Sequence, residues 1–191
     1  MQAVRLNYDG EAKGDAVSPF TSPVKGSKPY KDLVTAVKHG DVNKTQEALS
    51  EGADPNTCIA ESIWKSPMLL VAVYKGHLEL VKLLLENGAD LHRQDQLGRQ
   101  AVHEAATCGR LEILQLLHER GAIINAINKL SETPLHKAAF MNREDIVHWL
   151  LEHGASPTMT NSKGLTPADE AHRYGYNELA FMLKQAEGYK S

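Results

Sequence analysis

A repeat of about 33 residues runs through most of this chain and constrains its fold more than any other feature. The pair Gly-Ala begins at Gly52, Gly88, Gly121 and Gly154, and only the first of these intervals is longer than the period. An alanine series and a mid-unit glycine series keep the same register. Their members are Ala36, Ala72, Ala105, Ala138 and Ala171, and Gly40, Gly76, Gly109, Asn142 and Gly175. Three series in one register predict stacked, similar units, with an insertion between residues 56 and 67.

Each unit encodes two short helices. In the fourth unit, Thr133 and Pro134 predict a helix start, because threonine caps free N–H groups and proline loses no hydrogen bond at the first position. Asn142 then breaks this helix. The following helix carries one apolar stripe, formed by Ile146, Val147, Leu150 and Leu151. One helix pair cannot bury its stripe alone, so we expect the pairs to stack into an all-α solenoid.

These units resemble the ankyrin repeat family. The resemblance rests on the period, on the sequence Thr133-Pro134-Leu135-His136 and on the recurring Gly-Ala ending, and it covers about residues 30–185. It implies antiparallel helix pairs joined by hairpin-like loops, with a concave recognition face. The expected organisation is a flexible tail at 1–29, an N-terminal capping repeat at 30–62, repeats at 63–98, 99–131 and 132–164, a C-terminal capping repeat at 165–185 and a short tail at 186–191.

Departures from the pattern predict local differences. The first helix of the second unit starts at Pro67 and that of the third at Gln100, both without the Thr-Pro pair, so we expect the weaker seam between units there. His118 takes the place of Leu85 and softens one apolar stripe. In the N-terminal tail, rich in Gly, Pro, Ser and Lys, Ser18-Pro19 and Ser22-Pro23 are candidate phosphorylation sites, and an uneventful leader is the plainer alternative.

Composition argues against several classes of function. A net charge of -3, from 21 basic and 24 acidic residues, disfavours a protein built to bind nucleic acid or an acidic membrane surface. The chain has no apolar run of the roughly 18–20 residues that cross a bilayer. Two cysteines are too few for a disulfide framework, and the N-terminus lacks the apolar core of a secretory signal. We therefore expect a cytoplasmic or nuclear location.

No catalytic, cofactor or metal site is expected. His103-Glu104 begins like a zinc-protease motif, but Thr107 stands where the second histidine must be. His103 and His136 occupy the same place in successive units, and the resemblance implies a structural role in which their rings bond loop backbone. Cys108 has no base arranged beside it, so a reactive thiol is the minor alternative. The sequence predicts a non-enzymatic protein.

A row of apolar residues is the strongest functional signal. In the ankyrin family the two residues before the mid-unit glycine, together with the loop tips, face the concave side. Large apolar side chains that the core does not require recur at these positions, and side chains of this kind are enriched at the centres of protein interfaces. The predicted partner-binding residues are Trp64, Tyr74, Lys75, Leu97, Arg99, Cys108, Leu130, Phe140, Met141, Arg173 and Tyr174. The alternative is that these are ordinary exposed residues, or that Phe140 and Met141 fold back onto a neighbouring helix.

Two further assignments stay open. Trp64 lies in the longer connection and is either an exposed anchor or a plug over the insertion. Asn56 and Asn125 match the asparagine that can be hydroxylated in ankyrin proteins, although His92 and Thr158 hold this place in other units. Taken together, the sequence predicts an adaptor or scaffold, monomeric by itself, that binds another protein. The alternative is a regulatory inhibitor that occludes the active site of a partner enzyme such as a kinase.

Overall fold

The structure, a computed structural model, describes residues 27–59 and 65–188. These residues form five consecutive pairs of α-helices with no β-strand among them. The helices are Lys28–His39 (α1), Val42–Ser50 (α2), Met68–Lys75 (α3), Leu78–Glu86 (α4), Ala101–Cys108 (α5), Leu111–Glu119 (α6), Pro134–Phe140 (α7), Glu144–Glu152 (α8), Pro167–Arg173 (α9) and Asn177–Gly188 (α10). The predicted all-α class is confirmed.

Some sequence predictions fall outside the described residues. They are the phosphorylation sites Ser18 and Ser22, most of the predicted tail at 1–29, and Trp64. At the edges of the solenoid, α1 begins at Lys28 rather than at residue 30, because the Ser27 hydroxyl accepts a hydrogen bond from the Tyr30 N–H. At the other end α10 continues to Gly188, past residue 185.

The helix pairs stack in chain order. The first helices α1, α3, α5, α7 and α9 each pack against the next member of that series, and the second helices α2, α4 and α6 do the same. The main contacts of each helix are therefore with the other helix of its unit and with helices of the neighbouring units, as a solenoid requires.

No helix of the described segments is long and apolar enough to cross a membrane.

Two columns of side chains fill the space between the helices. The alanine series of the first helices is almost completely buried, which lets neighbouring helices approach closely. The stripe of the second helices supplies the bulk, and Leu84, Leu117, Leu150 and Leu183 each have 0% of their surface exposed. In the capping first unit Thr45 takes a stripe position, and its buried hydroxyl donates to the Asp41 carbonyl at 2.7 Å. The predicted apolar stripe is confirmed.

His118, which replaces a leucine of the apolar stripe, lies in an aromatic cluster. His118 of α6 meets Trp149 of α8 edge-on, with ring centroids 5.4 Å apart, and His153 stacks on Trp149 with ring centroids 4.0 Å apart. The Nδ1 atom of His118 is buried without a partner among the described residues. Trp149 is half-buried and packs against the core.

Helix starts differ between units as the sequence predicts. Thr133 and Thr166 cap α7 and α9, each accepting a hydrogen bond from the backbone N–H three residues later. At the start of α3, Pro67 provides no side-chain cap. At the start of α5, the Gln100 N–H donates to Nδ1 of His103 at 3.2 Å. The start of α3 therefore lacks the side-chain cap of α7 and α9, although the Met68 N–H donates to the Thr57 carbonyl at 3.0 Å.

A buried polar residue organises each hairpin-like loop. Asp95, Asn128 and Asn161 hold the same place in successive units, and one side-chain oxygen of each accepts N–H groups two and four residues later. Successive loops are also linked, because Lys129 N–H donates to the Leu97 carbonyl at 3.0 Å and Ser162 N–H to the Leu130 carbonyl at 2.8 Å. These hydrogen bonds join the tips of successive loops, and we call this arrangement the loop ladder.

Asn56 and Asn125 connect one unit to the next. The Asn125 amide donates to the Gly154 carbonyl at 3.1 Å and accepts from the Ser156 N–H at 2.9 Å. The Asn56 amide does the same with Gly88 and Asp90. Their hydroxylation stays a prediction, whereas their role in joining consecutive units is a property of this structure.

Asn125→Ala is expected to lower the free energy of unfolding by about 1–2 kcal/mol, because two hydrogen bonds between units are lost at about 1 kcal/mol each. Urea denaturation followed by circular dichroism measures the change. Thr158→Ala is the matched control, since Thr158 occupies the same place in the next unit, is exposed, and its hydroxyl bonds Ser156 of its own unit. Equal losses in both variants would contradict the linking role.

Candidate functional site

The mid-unit turns bring arginines of one unit onto the helix end of the unit before it. Gly76 and Gly109 end α3 and α5 with φ of 79° and 68°, a left-handed conformation that glycine adopts without strain. A Cβ on Gly76 would lie 2.6 Å from Cζ of Arg110, and one on Gly109 would lie 3.2 Å from Cδ of Arg143. The glycines thus allow both arginine side chains to lie directly over the turns.

Both arginines donate to the end of the preceding first helix. Nη2 of Arg110 donates to the Tyr74 carbonyl at 3.4 Å, and Nε of Arg143 donates to the Thr107 carbonyl at 3.3 Å. Helix C-terminal carbonyls lack partners within the helix and carry partial negative charge, so cations are favoured there. The contacts hold the two guanidinium groups beside the predicted row.

The apolar row, defined as Tyr74, Phe140, Met141 and Tyr174, is largely exposed. Tyr74 has 57% of its surface exposed, Tyr174 50% and Met141 37%. Phe140 is half-buried and meets the Tyr174 ring edge-on, with centroids 4.6 Å apart. Nζ of Lys137 lies 5.3 Å from the Phe140 ring centre. Three members of the row project to solvent, and Phe140 is held between a cation and an aromatic ring.

Two cavities border the N-terminal part of the row. The larger, of about 740 Å³, is lined by residues of the first three units that include Lys38, Tyr74 and Lys75. The smaller, of about 330 Å³, is lined by Tyr74, Lys75, Cys108, Arg110 and Arg143. Since Tyr74 and Lys75 line both, the two cavities adjoin along the ends of the first helices.

Arg99 does not stand at this surface as an unpaired cation. Its guanidinium lies 2.7 Å from Oδ2 of Asp95 and 3.1 Å from Oε2 of Glu104, and only 21% of its side chain is exposed. Burial raises the pKa of Glu104, an effect that the Arg99 charge opposes. Arg99 therefore fastens its loop to α5 while it lines the larger cavity.

The other predicted residues are divided between the row and the loops. Lys75 and Arg173 are exposed, and Leu130 has 50% of its surface exposed. Leu97 is half-buried in the loop ladder. Cys108 is half-buried beside Glu104, and burial together with that carboxylate raises the pKa of its thiol. A raised pKa disfavours the thiolate and argues against a reactive cysteine.

Sequence reasoning missed Arg110 and Arg143 as members of this surface, whereas Lys38 belongs to the predicted column before the mid-unit glycines but not to the predicted partner-binding residues. A signal was available, because Arg110 and Arg143 hold the same place in successive units, each directly after the mid-unit turn. What the sequence does not show is that each side chain reaches back to the preceding unit. That contact depends on the glycine across the interface, which a search within one unit does not examine.

The histidines of the repeat motif are structural, as predicted. Nε2 of His103 lies 3.1 Å from the carbonyls of Ala126 and Glu132, and Nε2 of His136 lies 3.0 Å from the Leu165 carbonyl. Burial lowers the pKa of His103 to about 4 and also lowers that of His136. Among the described residues, no group of three or more histidine, cysteine or acidic side chains is placed to hold a metal ion.

A solenoid of helix pairs with an exposed row along one face defines a class of repeat proteins whose general role is protein interaction. A family model described as ankyrin repeats (3 copies) matches residues 33–128, 69–161 and 123–190. The chain belongs to the ankyrin repeat family.

Similar curated proteins share this repeat region. The 2-5A-dependent ribonuclease of Mus musculus is 44% identical over 66 residues, which are 35% of this chain and 9% of that protein. Arf-GAP with coiled-coil, ANK repeat and PH domain-containing protein 2 of Homo sapiens is 33% identical over 102 residues, 53% of this chain and 13% of that protein. Protein HOS4 of Saccharomyces cerevisiae is 38% identical over 80 residues, 42% of this chain and 7% of that protein. The chain thus matches only a small part of each relative.

Proposed function

We propose that this protein is a non-enzymatic adaptor or scaffold that binds another protein on its concave face, through the apolar row. The observation that carries the proposal is the exposure of Tyr74, Met141 and Tyr174 at the ends of three first helices, α3, α7 and α9. Neighbouring Lys75 and Arg173 are also exposed and supply a polar rim. Interfaces commonly combine such an apolar centre with a polar rim.

The row has the properties of a binding surface rather than of misplaced core. The core is complete without it, since the stripe leucines and the alanine series are buried already. Phe140 is fixed against Tyr174, so little side-chain freedom would be lost at this position on binding. Rigid aromatic groups are frequent among the residues that dominate binding energy.

The double substitution Phe140→Ala and Met141→Ala is expected to reduce partner capture by at least about tenfold, because it removes two central apolar contacts. The protein is immobilised, partners are captured from cell extract, and the amounts retained by wild type and variant are compared by quantitative mass spectrometry.

Phe181→Ala is the matched control for this experiment. Phe181 has 67% of its surface exposed but lies on α10, where the corresponding residue of α8 is the exposed His148. Its removal should leave capture unchanged. Thermal unfolding of all variants checks the fold, and unchanged capture by the folded double variant would exclude the row as the binding surface.

Location and mode of action are part of the same proposal. Cys58 and Cys108 are both free thiols, which suits a reducing compartment such as the cytoplasm or nucleus. Inhibition of a partner enzyme stays a prediction. It is tested by adding the purified protein to any enzyme that the row captures and measuring that enzyme's activity.

A further inference from the structure

Unpaired cations line the two adjoining cavities. Lys38 and Lys75 line the larger cavity, and Arg110 and Arg143 line the smaller one with Lys75. Within residues 27–59 and 65–188, none of these four side chains forms an ion pair with a carboxylate. We call these four side chains the basic groove.

The carboxylate that lines the groove is paired with an arginine outside it. Glu104 lines the larger cavity, and the described residues that line the smaller one include no acidic residue. Its Oε2 atom lies 3.1 Å from Nη1 of Arg99, and its side chain is only 8% exposed. The groove therefore has a net positive charge, although the whole chain has a net charge of -3.

The two arginines of the groove are already oriented. Each uses one nitrogen on a backbone carbonyl of the preceding unit, and each lies over a glycine turn. A guanidinium has five N–H donors, so several remain for a ligand. Because the side chains are held before binding, less conformational entropy is lost when they pair with carboxylates.

We propose that the basic groove binds an acidic segment of the protein partner, held in an extended conformation, while the adjoining apolar row takes apolar side chains of the same segment. This inference rests on the proposed function and adds the chemistry of the partner to it. Charge complementarity carries it, since four unpaired cations lie along the ends of α1, α3 and α5.

The spacing of the groove suggests the pattern of the segment. Packed helices lie about 8–10 Å apart, so Arg110 and Arg143, which hold the same place in successive units, recur at about that distance. An extended chain rises about 3.1–3.3 Å per residue, and in a polyproline II conformation every third side chain lies on one face. Two acidic residues about three positions apart would meet Arg110 and Arg143.

A nucleic acid fits the groove less well than a single acidic peptide. Glu112 stands in the first turn of α6, and Glu144 and Asp145 stand in the first turn of α8, directly after the two arginines. A phosphate backbone, which carries a charge on every nucleotide, would be repelled by these carboxylates more strongly than a peptide whose acidic residues are spaced apart.

Selection from a random peptide library displayed on phage tests the inference. The full chain is immobilised, and peptides of about 12 residues are selected at about 50 mM salt, where charge interactions are weakly screened. We expect the selected peptides to be enriched in Asp and Glu. The most enriched peptide is then measured by fluorescence anisotropy against wild type and variants.

Arg110→Gln with Arg143→Gln should weaken binding of that peptide by at least about tenfold, and about 300 mM salt should weaken it similarly. Lys38→Gln with Lys75→Gln, which changes only exposed side chains, gives a second reading if the arginine variant unfolds. Lys82→Gln with Arg120→Gln removes two cations outside the groove and should leave binding unchanged.

Three outcomes would overturn the inference. They are selected peptides without acidic enrichment, equal binding of the same peptide with Gln in place of every Asp and Glu, and equally tight binding of a single-stranded oligonucleotide of similar length. The proposed function is judged separately by partner capture. If Phe140→Ala with Met141→Ala abolishes capture and the groove variants do not, the adaptor function holds and the acidic segment is wrong.

Discussion

Leu84→Ala and Leu150→Ala are each expected to lower the free energy of unfolding by about 2–5 kcal/mol. Both side chains have 0% of their surface exposed and occupy the same place in the second and fourth units. Truncation removes buried apolar surface and leaves a cavity between neighbouring units, which relax only in part. These losses are a large fraction of the stability of a small domain.

Urea denaturation monitored by circular dichroism measures both losses. Leu130→Ala is the control, because Leu130 has 50% of its surface exposed and should change stability by less than about 0.5 kcal/mol. A loss below about 1 kcal/mol at Leu84 or Leu150 would mean that the stripe does not form the core between units.

Acidification is expected to destabilise the protein through His103. Burial lowers its pKa from 6.5 to about 4 in the folded state, and the backbone bonds to Glu132 and Ala126 only partly offset this. Between these values the unfolded chain binds a proton that the folded chain does not. Stability contributed by the neutral ring is therefore complete above about pH 6.5 and falls by about 3 kcal/mol as the pH drops to 4.

Other titrating groups act in the same pH range. His136 has a lowered pKa and adds to the loss on acidification. Glu104 has a raised pKa, so its contribution decreases as the pH rises and opposes the histidines. Carboxylates with lowered pKa values, Glu132 and Asp169, lose their contribution mainly below the histidine range. A single curve of unfolding free energy against pH therefore reports the sum of the contributions of these groups.

Comparison of the wild type with His103→Gln isolates the contribution of His103 to the pH dependence of the unfolding free energy. Glutamine can accept from the Gln100 N–H and donate toward the Ala126 carbonyl, but it does not titrate. Unfolding free energies at about pH 7 and about pH 5 should fall less in this variant than in wild type. His148→Gln changes an exposed histidine and should keep the wild-type difference. If the unfolding free energy falls equally with pH in His103→Gln and in the wild type, the assignment of this effect to His103 is wrong.

The period predicts the backbone of this protein well, because one unit contains nearly all the information for its two helices. Helix starts at Thr133 and Thr166, the glycine turns and the stripe leucines follow from local preferences that act within a few residues. The extra residues in the longer connection also follow from the interrupted register, although the place of Trp64 does not.

Side-chain roles between units are harder to predict. The sequence predicts Arg99 as a partner-binding residue, but ion pairs with Asp95 and Glu104 hold its guanidinium in the loop. The repeat pattern also gives no indication that Arg110 contacts Tyr74 of the preceding unit. These outcomes depend on which atoms face each other across an interface. A residue's type shows its capacity for a contact, and the neighbouring unit determines which contact is made.

The order of contacts along the solenoid also bears on how the chain acquires its fold. Most contacts join residues that are near in sequence or one unit apart, so closing each interface fixes only a short loop of chain. Folding can then begin at one pair and extend by adding the next. During synthesis, each new unit leaving the ribosome would meet a neighbour that is already formed.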